Sequence, residues 1–585
     1  MCGIFGYIGH KNTKDIILEG LKSLEYRGYD SWGVALKKLD GSIDLVKQIG
    51  KIGNSTIKDT NSNIGIGHTR WATHGGVTIE NAHPHLSCNK EIVIVHNGIV
   101  ENYLELKTQL EEKGHKFVSD TDSEVLAHYL EESYKKEVDP VLCMQNLCSV
   151  IKGLNAVIAL FVKEETFVAY KNGSPVIIGK NNDEFFVSSD PVGIASYTDK
   201  LYFLEDGEII KASKNSIELL NQDKKVKPVS FQTINFPKNM SDIGNYPHFM
   251  LKEINDQVDV ITNILKTQRK DVEEVASKIK NAFGCFLVGC GTASYAGLAG
   301  VYFFSKIARR HLNTSFGSEF SYLINFIRRQ SLVIALSQSG ETIDTISSVK
   351  KAKEKGATLV SIINSPHSTL DRLSDKSLYL HAGPEKAVAS TKAYTSKLAY
   401  LFLMAHAVAG SLKTGQSLLR KSVIEVKKVL DYSSKIKLLA KKIAKHDHIF
   451  ILGRGLSYAL ALESALKIKE VSYIHAEGFP AGELKHGVIA LIEKGTPVIV
   501  YNPKDETYED TLSAAYEVKA RGAFVIGVSE KKAPVYDVHI PVKFCSDATI
   551  IPQVVIAQLL GYYLALEKGL DPDKPRNLAK SVTVK

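Results

Sequence analysis

Two hydrophobic patterns divide this chain. Up to about Asn221, apolar residues come in short runs broken by glycine, asparagine and aspartate. "IGIGHTRWATHGG", "EIVIVHNGIV", "NAVIALFV" and "FFVSSDPVG" read as strands bounded by turns. Helical segments lie between them. In "TDSEVLAHYLEESYKK", Thr121 or Asp122 is placed to cap a helix start. This half predicts a layered α/β domain on antiparallel sheets.

After about His248 the pattern becomes strand, glycine turn, helix, twice over. "CFLVGCGTAS", "LVIALSQSGET" and "TLVSIINSP" return about 160 residues later as "IFILGRGLSYA", "TPVIVYNP" and "AFVIGVSE". We read two repeats of one parallel-sheet plan, with strands apolar enough to be covered on both faces. The expected divisions are 1–221, a charged and proline-bearing linker 222–247, subdomains 248–417 and 418–565, and a tail 566–585. The apolar run "LAYLFLMAHAVAGSL" is too short to span a bilayer and holds His406, so a buried core helix is expected.

Composition adds little to this picture. The 585 residues are 44% hydrophobic and 23% charged, with a net charge of +9, which is mild at this length. Basic runs are single-turn clusters, better read as solvated faces than as nucleic-acid patches. The seven cysteines are odd in number, scattered and without C-x-x-C, which argues for a reducing compartment and against a disulfide framework. Lys11, Lys14 and Asp15 interrupt the apolar start, so no signal peptide is read. The expectation is a soluble cytoplasmic protein without membrane or nucleic-acid partners.

The start, "MCGIFGYIGH", places a thiol where a frayed residue is usual. If Met1 is removed, Cys2 carries a thiol and an α-amine that titrates near ~7.7–8.0, so nucleophile and general base share one residue. Acyl transfer also needs an oxyanion hole. "HNGIVEN" offers the Asn97 amide and the Gly98 N–H. Arg70 in "GHTRWATHGG" suits a carboxylate, and Asp122 in "SDTDSE" suits an ammonium. Read without that context, Arg70 and Asp122 are as well explained by an ordinary ion pair. The five histidines from His68 to His96 match no H-E-x-x-H pattern, and no metal is expected.

A second candidate site lies in the repeats. Ser337, Gln338, Ser339 and Thr342 fall at a strand-to-helix turn, where free N–H groups favour phosphate; an ordinary capping turn reads the same way. Thr292 and Ser390 supply hydroxyls at parallel positions. Glu463, Lys467 and Glu470 share one helix face, either an exposed salt-bridged face or, with His486 beyond, the groups for ring opening and proton transfer beside a carbonyl. A docked tail would bury Lys580 and lower its pKa toward a Schiff-base amine.

"MCGIFGYIG", "LEYRGYDS", "HTRWATHG", "NAHPH", "HNGIVENY" and "SDTDSE" resemble the class II glutamine amidotransferase domain, an N-terminal-nucleophile glutaminase of αββα layers. The resemblance implies Cys2 as nucleophile, Asn97 and Gly98 as oxyanion hole, and Arg70, Trp71, Thr73, His74 and Asp122 as glutamine contacts. Arg27 supports them. "GCGTAS", "SQSGET", "VASTK", "ALKIKE", "GELKHG" and "DKPRNLAKSVTV" are similar to the paired sugar-isomerase subdomains of the glutamine–fructose-6-phosphate aminotransferase (isomerizing) family. Together the two resemblances cover essentially the whole chain.

This second resemblance implies amide-nitrogen transfer from glutamine to fructose 6-phosphate, giving glucosamine 6-phosphate and glutamate, the first step of hexosamine synthesis. Ser337, Gln338, Ser339, Thr342 and Thr292 hold the phosphate, and Val388 and Ser390 line the pocket. His486 opens the ring, reaching across a homodimer interface. Lys580 forms the Schiff base, Glu470 moves the proton, Lys467 supports it, and Trp71 gates ammonia. No cofactor is implied. Two departures stand out: Ala293 replaces a frequent serine, with Ser294 next to it, and Val488 replaces a frequent proline. The eukaryotic insertion is absent, and with it the expectation of nucleotide-sugar feedback. An asparagine synthetase needs an ATP loop, and a phosphoribosyl amidotransferase needs a paired-acid ribose-phosphate loop; neither pattern is found. A non-catalytic sugar-phosphate sensor would not need Cys2, Glu470 and Lys580.

Overall fold

Antiparallel pairing organises the first half of the chain and parallel pairing the second. The computed structural model describes residues 2–58, 61–234, 243–267 and 269–583. The chain divides into two units, Met1–Asn239 with Ala579–Lys585, and Met240–Leu578.

In the first unit, strand Gly3–Ile8 lies inside an eight-stranded antiparallel sheet, between Glu184–Ser188 and Ile64–Arg70. Strand Ile92–Gly98 lies in a seven-stranded sheet beside Asn155–Phe161. The pleat sends Ile4 into the core between the sheets, with Ile66, Val95 and Ile158, and sends Phe5 and Tyr7 to the other face. Helix Thr13–Leu24 covers that other face. Helices Tyr103–Glu112, Glu124–Lys136 and Pro140–Val150 cover the outer face of the second sheet. The result is the expected αββα stack. Both sheet faces are buried, which is why these strands read as apolar runs rather than alternations.

Two local details differ from expectation. Helix Glu124–Lys136 starts at Ser123, without a side-chain cap. Asp122 is engaged elsewhere, accepting from Val100 N at 2.7 Å, and Thr121 Oγ1 pairs with Ser119 Oγ at 2.9 Å. The segment expected as a linker begins with two short strands. Val226–Lys227 extends the seven-stranded sheet and Gln232–Thr233 the eight-stranded one; residues 235–242 of it lie outside the described residues.

The second unit holds two five-stranded parallel sheets. The first runs Asn313–Phe316, Gly284–Gly289, Ser331–Leu336, Thr358–Ile363, Lys376–Tyr379. The second runs His475–Pro480, His448–Gly453, Pro497–Tyr501, Phe524–Ser529, Val538–Pro541. In both, the first strand in sequence lies between the second and third, which opens a crevice at the carboxyl ends of the strands where the order reverses. The repetition reaches the backbone. Helices Thr292–Ala308 and Leu456–Ser472 are both 17 residues long; the glycines before them have φ 53°, ψ −129° and φ 57°, ψ −128°. Both helices end on a left-handed residue, Arg309 and Tyr473.

The apolar run singled out earlier is helix Lys392–Val408, buried from Lys392 to His406. A more apolar helix, Ser546–Glu567, is long enough to cross a bilayer, and 89% of its apolar window is buried inside the fold, as befits a core helix. The tail docks by hydrogen bonds. The Asp573 carboxylate accepts from Phe249 N at 2.8 Å and Met250 N at 2.7 Å, satisfying the start of helix Phe249–Thr267. Asp573 O accepts from Val388 N at 3.0 Å.

Candidate active sites

The pairing of Gly3 with Thr69 places Cys2 beside the end of strand Ile64–Arg70. Trp71 N donates to Cys2 Sγ at 3.3 Å. The Cys2 carbonyl accepts from Asn97 Nδ2 at 3.1 Å and from Arg27 Nε at 3.3 Å. Arg27 is itself fixed by Asp190 at 2.8 Å. Burial pushes the Cys2 thiol up, while the Trp71 N–H and the Arg70 and Arg27 charges pull it down. The net direction is upward, so the thiol needs a base.

Asn97 and Gly98 close the strand that faces Cys2. His68 Nε2 donates to Asn97 Oδ1 and to His96 O, both at 3.1 Å, which turns the amide nitrogen toward Cys2. Burial pulls the His68 pKa down to about 3, so the ring is neutral. Gly98 has φ 143°, and a Cβ there would lie 2.2 Å from Leu154 O, so only glycine fits. Asp122 accepts from Val100 N and so holds the chain just beyond Gly98.

Arg70 is buried, and its terminal nitrogens hold a loop: Nη2 donates to His74 O at 2.5 Å and Gly75 O at 3.1 Å, and Nη1 to Gly76 O at 3.0 Å. That loop carries Thr73, which is exposed, and His74, whose buried Nδ1 has no hydrogen-bond partner. Trp71 is half-buried, and Asp30 accepts from Ala72 N at 2.8 Å. The structure thus gathers Cys2, Arg70, Trp71 and Asn97 around one thiol. His68, His83 and His85 pack ring against ring in a buried group, while His74 packs edge-on against Tyr103. His68 and His83 rings lie 4.2 Å apart, His83 and His85 4.4 Å, and burial lowers the pKa of all three and of His96.

In the second unit, Ser337–Thr342 is the turn after strand Ser331–Leu336. Ser337 Oγ accepts from Gly340 N at 3.0 Å and meets Thr342 Oγ1 at 3.3 Å; Ser339 Oγ accepts from Glu341 N at 3.1 Å. Gln338 O accepts from Asn364 N at 3.0 Å. Gly340 has φ 69°, and a Cβ there would meet Ser368 Oγ at 2.0 Å. Helix Ile343–Glu354 follows without a side-chain cap, so the hydroxyls and N–H groups converge at an open helix start.

Thr292 Oγ1 donates to Glu463 Oε1 at 3.3 Å, which joins the start of the first-repeat helix Thr292–Ala308 to the second-repeat helix Leu456–Ser472. On that helix Lys467 Nζ lies 2.5 Å from Glu470 Oε2 and 3.6 Å from Glu463 Oε1. This is no exposed salt-bridged face, for the Lys467 and Glu463 side chains are 0% exposed. Burial raises Glu463 to about 8. Burial alone would lower Lys467, but the Glu470 and Glu463 carboxylates outweigh it, and its pKa stands above the ordinary value. Glu385, on the loop before Ser390, adds to that effect. Ser390 Oγ donates to Glu385 Oε2 at 3.1 Å, and Val388 is buried beside the docked tail. Beside the frequent-serine position, Ser294 Oγ donates to Gly291 O at 2.7 Å.

His486 is exposed at the end of the turn Ala481–His486. Lys580 is half-buried in the terminal segment grouped with the first unit, whereas the Lys467–Glu470 pair belongs to the second. Sequence reasoning missed His68, Glu385 and Asp573 as site-organising residues, and named Glu463 on the Lys467 face without separating a role for it. His68 and Glu463 were visible two residues before Arg70 and one helical turn before Lys467; Glu385 and Asp573 act through backbone N–H groups and leave no pattern.

A family model described as a glutamine amidotransferase domain matches residues 68–214, and one described as a SIS domain matches residues 278–407 and 442–559. Proteins named glutamine–fructose-6-phosphate aminotransferase (isomerizing) align along their full length. That of Thermus thermophilus is 40% identical over 616 residues, and that of Thermococcus kodakarensis 41% over 604, each covering 100% of both chains. A solved C-terminal domain of glucosamine-fructose-6-phosphate aminotransferase from Francisella tularensis is 33% identical, with a TM-score of 0.55 over 57% of this chain and 100% of its own. A tagatose-6-phosphate ketose/aldose isomerase from Escherichia coli shares the fold at 18% identity, TM-score 0.51, over 58% of this chain and 98% of its own.

Proposed function

The chain belongs to the glutamine–fructose-6-phosphate aminotransferase (isomerizing) family, and from that premise we propose how its residues divide the work. The enzyme converts glutamine and fructose 6-phosphate into glutamate and glucosamine 6-phosphate, at the entry to hexosamine synthesis.

With Met1 removed, the Cys2 α-amine takes the thiol proton and the thiolate attacks the glutamine amide carbon. Asn97 Nδ2 and Gly98 N–H receive the oxyanion. Ammonia leaves, and water releases glutamate from the thioester. Asp122 takes the glutamine α-ammonium, and Arg70, which braces the Trp71–His74 loop, takes the carboxylate side with Thr73 and His74. Trp71 gates the ammonia.

At the sugar site Ser337, Gln338, Ser339, Thr342 and Thr292 hold the phosphate, between Val388 and Ser390. His486 assists ring opening for a second copy of the chain in a homodimer. The Lys580 amine condenses with the C2 ketone and expels water. Ammonia displaces Lys580 as a free amine and leaves an imine at C2. Glu470 removes a proton from C1 and returns it to C2, while the C1 hydroxyl proton passes to the C2 nitrogen, giving the 2-amino aldose. Lys467 holds Glu470 ionised before the first transfer, ready to accept the C1 proton. The seven free cysteines fit a cytoplasmic setting.

The pair of fully buried Lys467 with partly exposed Glu470 carries this reading. Holding a phosphosugar needs no carboxylate held ionised by a buried ammonium, whereas moving a proton beside a carbonyl needs a positioned base with access to the substrate. The test is a pair of variants. Cys2→Ala should abolish synthesis from glutamine and retain sugar isomerisation; Lys580→Ala should retain glutamate release and lose synthesis. Full synthesis in either variant removes that residue from the scheme.

A further inference from the structure

A group of side chains outside both sites converges on one point. Cys88 in the turn Ser87–Glu91, His115 before helix Glu124–Lys136, and His128 and Glu131 on that helix bring one ligand atom each within 4.8 Å of one another. Cys88 Sγ lies 3.6 Å from His115 Nδ1 and 3.5 Å from His128 Nδ1. Glu131 Oε2 lies 3.7 Å from His115 Nδ1 and 4.0 Å from His128 Nδ1. Tetrahedral zinc with bonds of ~2.3 Å to sulfur and ~2.0–2.1 Å to nitrogen or oxygen sets its ligand atoms ~3.3–3.6 Å apart. The two sulfur–nitrogen separations match that spacing, and the two carboxylate separations need only a small inward turn.

The surroundings set the protonation. His115 Nε2 faces Glu132 Oε1 at 3.0 Å, and His128 Nε2 faces Glu124 Oε1 at 3.5 Å. The His115 Nε2 hydrogen bond to Glu132 leaves its Nδ1 lone pair facing inward, and the Glu124 carboxylate beside His128 Nε2 favours the same tautomer there. Glu131 Oε2 accepts from Cys88 N at 2.8 Å and keeps a second lone pair; with the two imidazole nitrogens and the sulfur it faces one point that a single thiol proton cannot satisfy. Carboxylates behind metal-bound imidazoles fix ring tautomers in the same way. Lys116 N also donates to Cys88 Sγ at 3.5 Å. One thiolate and one carboxylate balance a divalent charge. Glu131 Oε1, not Oε2, meets the Lys135 ammonium at 3.4 Å. His115, His128 and Glu131 are buried, and Cys88 is exposed, which leaves a path for entry.

We propose that Cys88, His115, His128 and Glu131 form a closed structural site for a divalent late transition metal, zinc foremost. Four protein ligands leave no open position, so the ion clamps rather than catalyses. It ties the turn before strand Ile92–Gly98 to helix Glu124–Lys136, the helix that begins just after Asp122.

The test uses the full chain, purified without a metal-affinity tag, in a Cys2→Ala background that removes the catalytic thiol as a competing ligand. Zinc should be present at about one equivalent per chain by atomic emission. The chelated protein should take up Co²⁺ with a thiolate-to-cobalt charge-transfer band. Cys88→Ser should abolish the band, and Glu132→Gln, which keeps all four ligands, should weaken binding ~10–100-fold. Zn²⁺ should raise the melting temperature of the chelated parent and not that of Cys88→Ser. Failure of the chelated parent to bind either ion overturns the site, as does a charge-transfer band that survives Cys88→Ser. Because the parent's own titration needs no ligand substitution, a poorly folding variant does not blunt the test.

Discussion

His68 decides which way the Asn97 amide faces. Its neutral ring can donate one Nε2 proton, and Asn97 Oδ1 and His96 O share it. His68→Leu should lower kcat for glutamate release about tenfold, a fraction of the ~10²–10³-fold typical for losing an oxyanion donor outright, with KM little changed. His68→Gln, which restores a donor, should recover part of the loss in the same assay. Glu463 supports a pH prediction. Its folded pKa of about 8 lies above the ordinary glutamate value of 4.5. Across that window the folded state holds a proton that the unfolded chain has released. This contribution to stability is therefore full at low pH and lost as pH rises through the folded pKa. Glu463→Gln keeps the neutral form, so parent and variant should diverge in the variant's favour from about pH 6 to about pH 9, by on the order of 2 kcal/mol. Urea unfolding midpoints at the two pH values measure it; parallel pH curves for the two proteins reject the buried, neutral Glu463.

At the scale of elements, the Asp573 carboxylate satisfies two N–H groups at the start of helix Phe249–Thr267. Asp573→Ala should cost ~0.5–2 kcal/mol, as for other helix caps, and should depress synthesis more than glutamate release, because Lys580 follows seven residues on. Denaturant melts paired with the two activity assays check this; equal losses in both activities would assign Asp573 a purely global role. The elements were legible where periodicity and turn residues agreed. "CFLVGCGTAS" and "IFILGRGLSYA" gave strand, glycine and helix start in both repeats, and both became the same backbone turn. Helix caps and short strands were less legible. Thr121 and Asp122 have cap chemistry, but long-range partners claim them. Val226–Lys227 and Gln232–Thr233 are two-residue strands, too short for a period to register. The burial of Glu463 and Lys467 was illegible because the covering surface comes from another repeat, some 170 residues away, as the Thr292–Glu463 bond records.

The whole molecule is two units, each with its own core. The second-unit clusters contain no residue of the first, and the matching half of the Francisella tularensis protein exists as a solved domain. Sequence repeats foretold the paired sheets of this unit. They did not foretell that Ala579–Lys585 would group with Met1–Asn239, since seven terminal residues carry too little pattern to assign them anywhere. A fragment of residues 243–578 should therefore fold cooperatively. It keeps the Ser337–Thr342 turn and the Lys467–Glu470 pair, and it lacks Lys580. On the proposed roles, fructose 6-phosphate should raise its melting temperature, because the proposed phosphate grip lies wholly inside the unit, while isomerisation should be absent for want of the amine proposed to attack C2. A fragment 243–585 separates the two roles of the tail. Isomerisation restored there means that Lys580 reaches the sugar without the first unit; isomerisation still absent means that the first unit must hold the terminal segment for it. Sugar-induced stabilisation missing from both fragments, in otherwise folded protein, would move the phosphate site away from Ser337–Thr342.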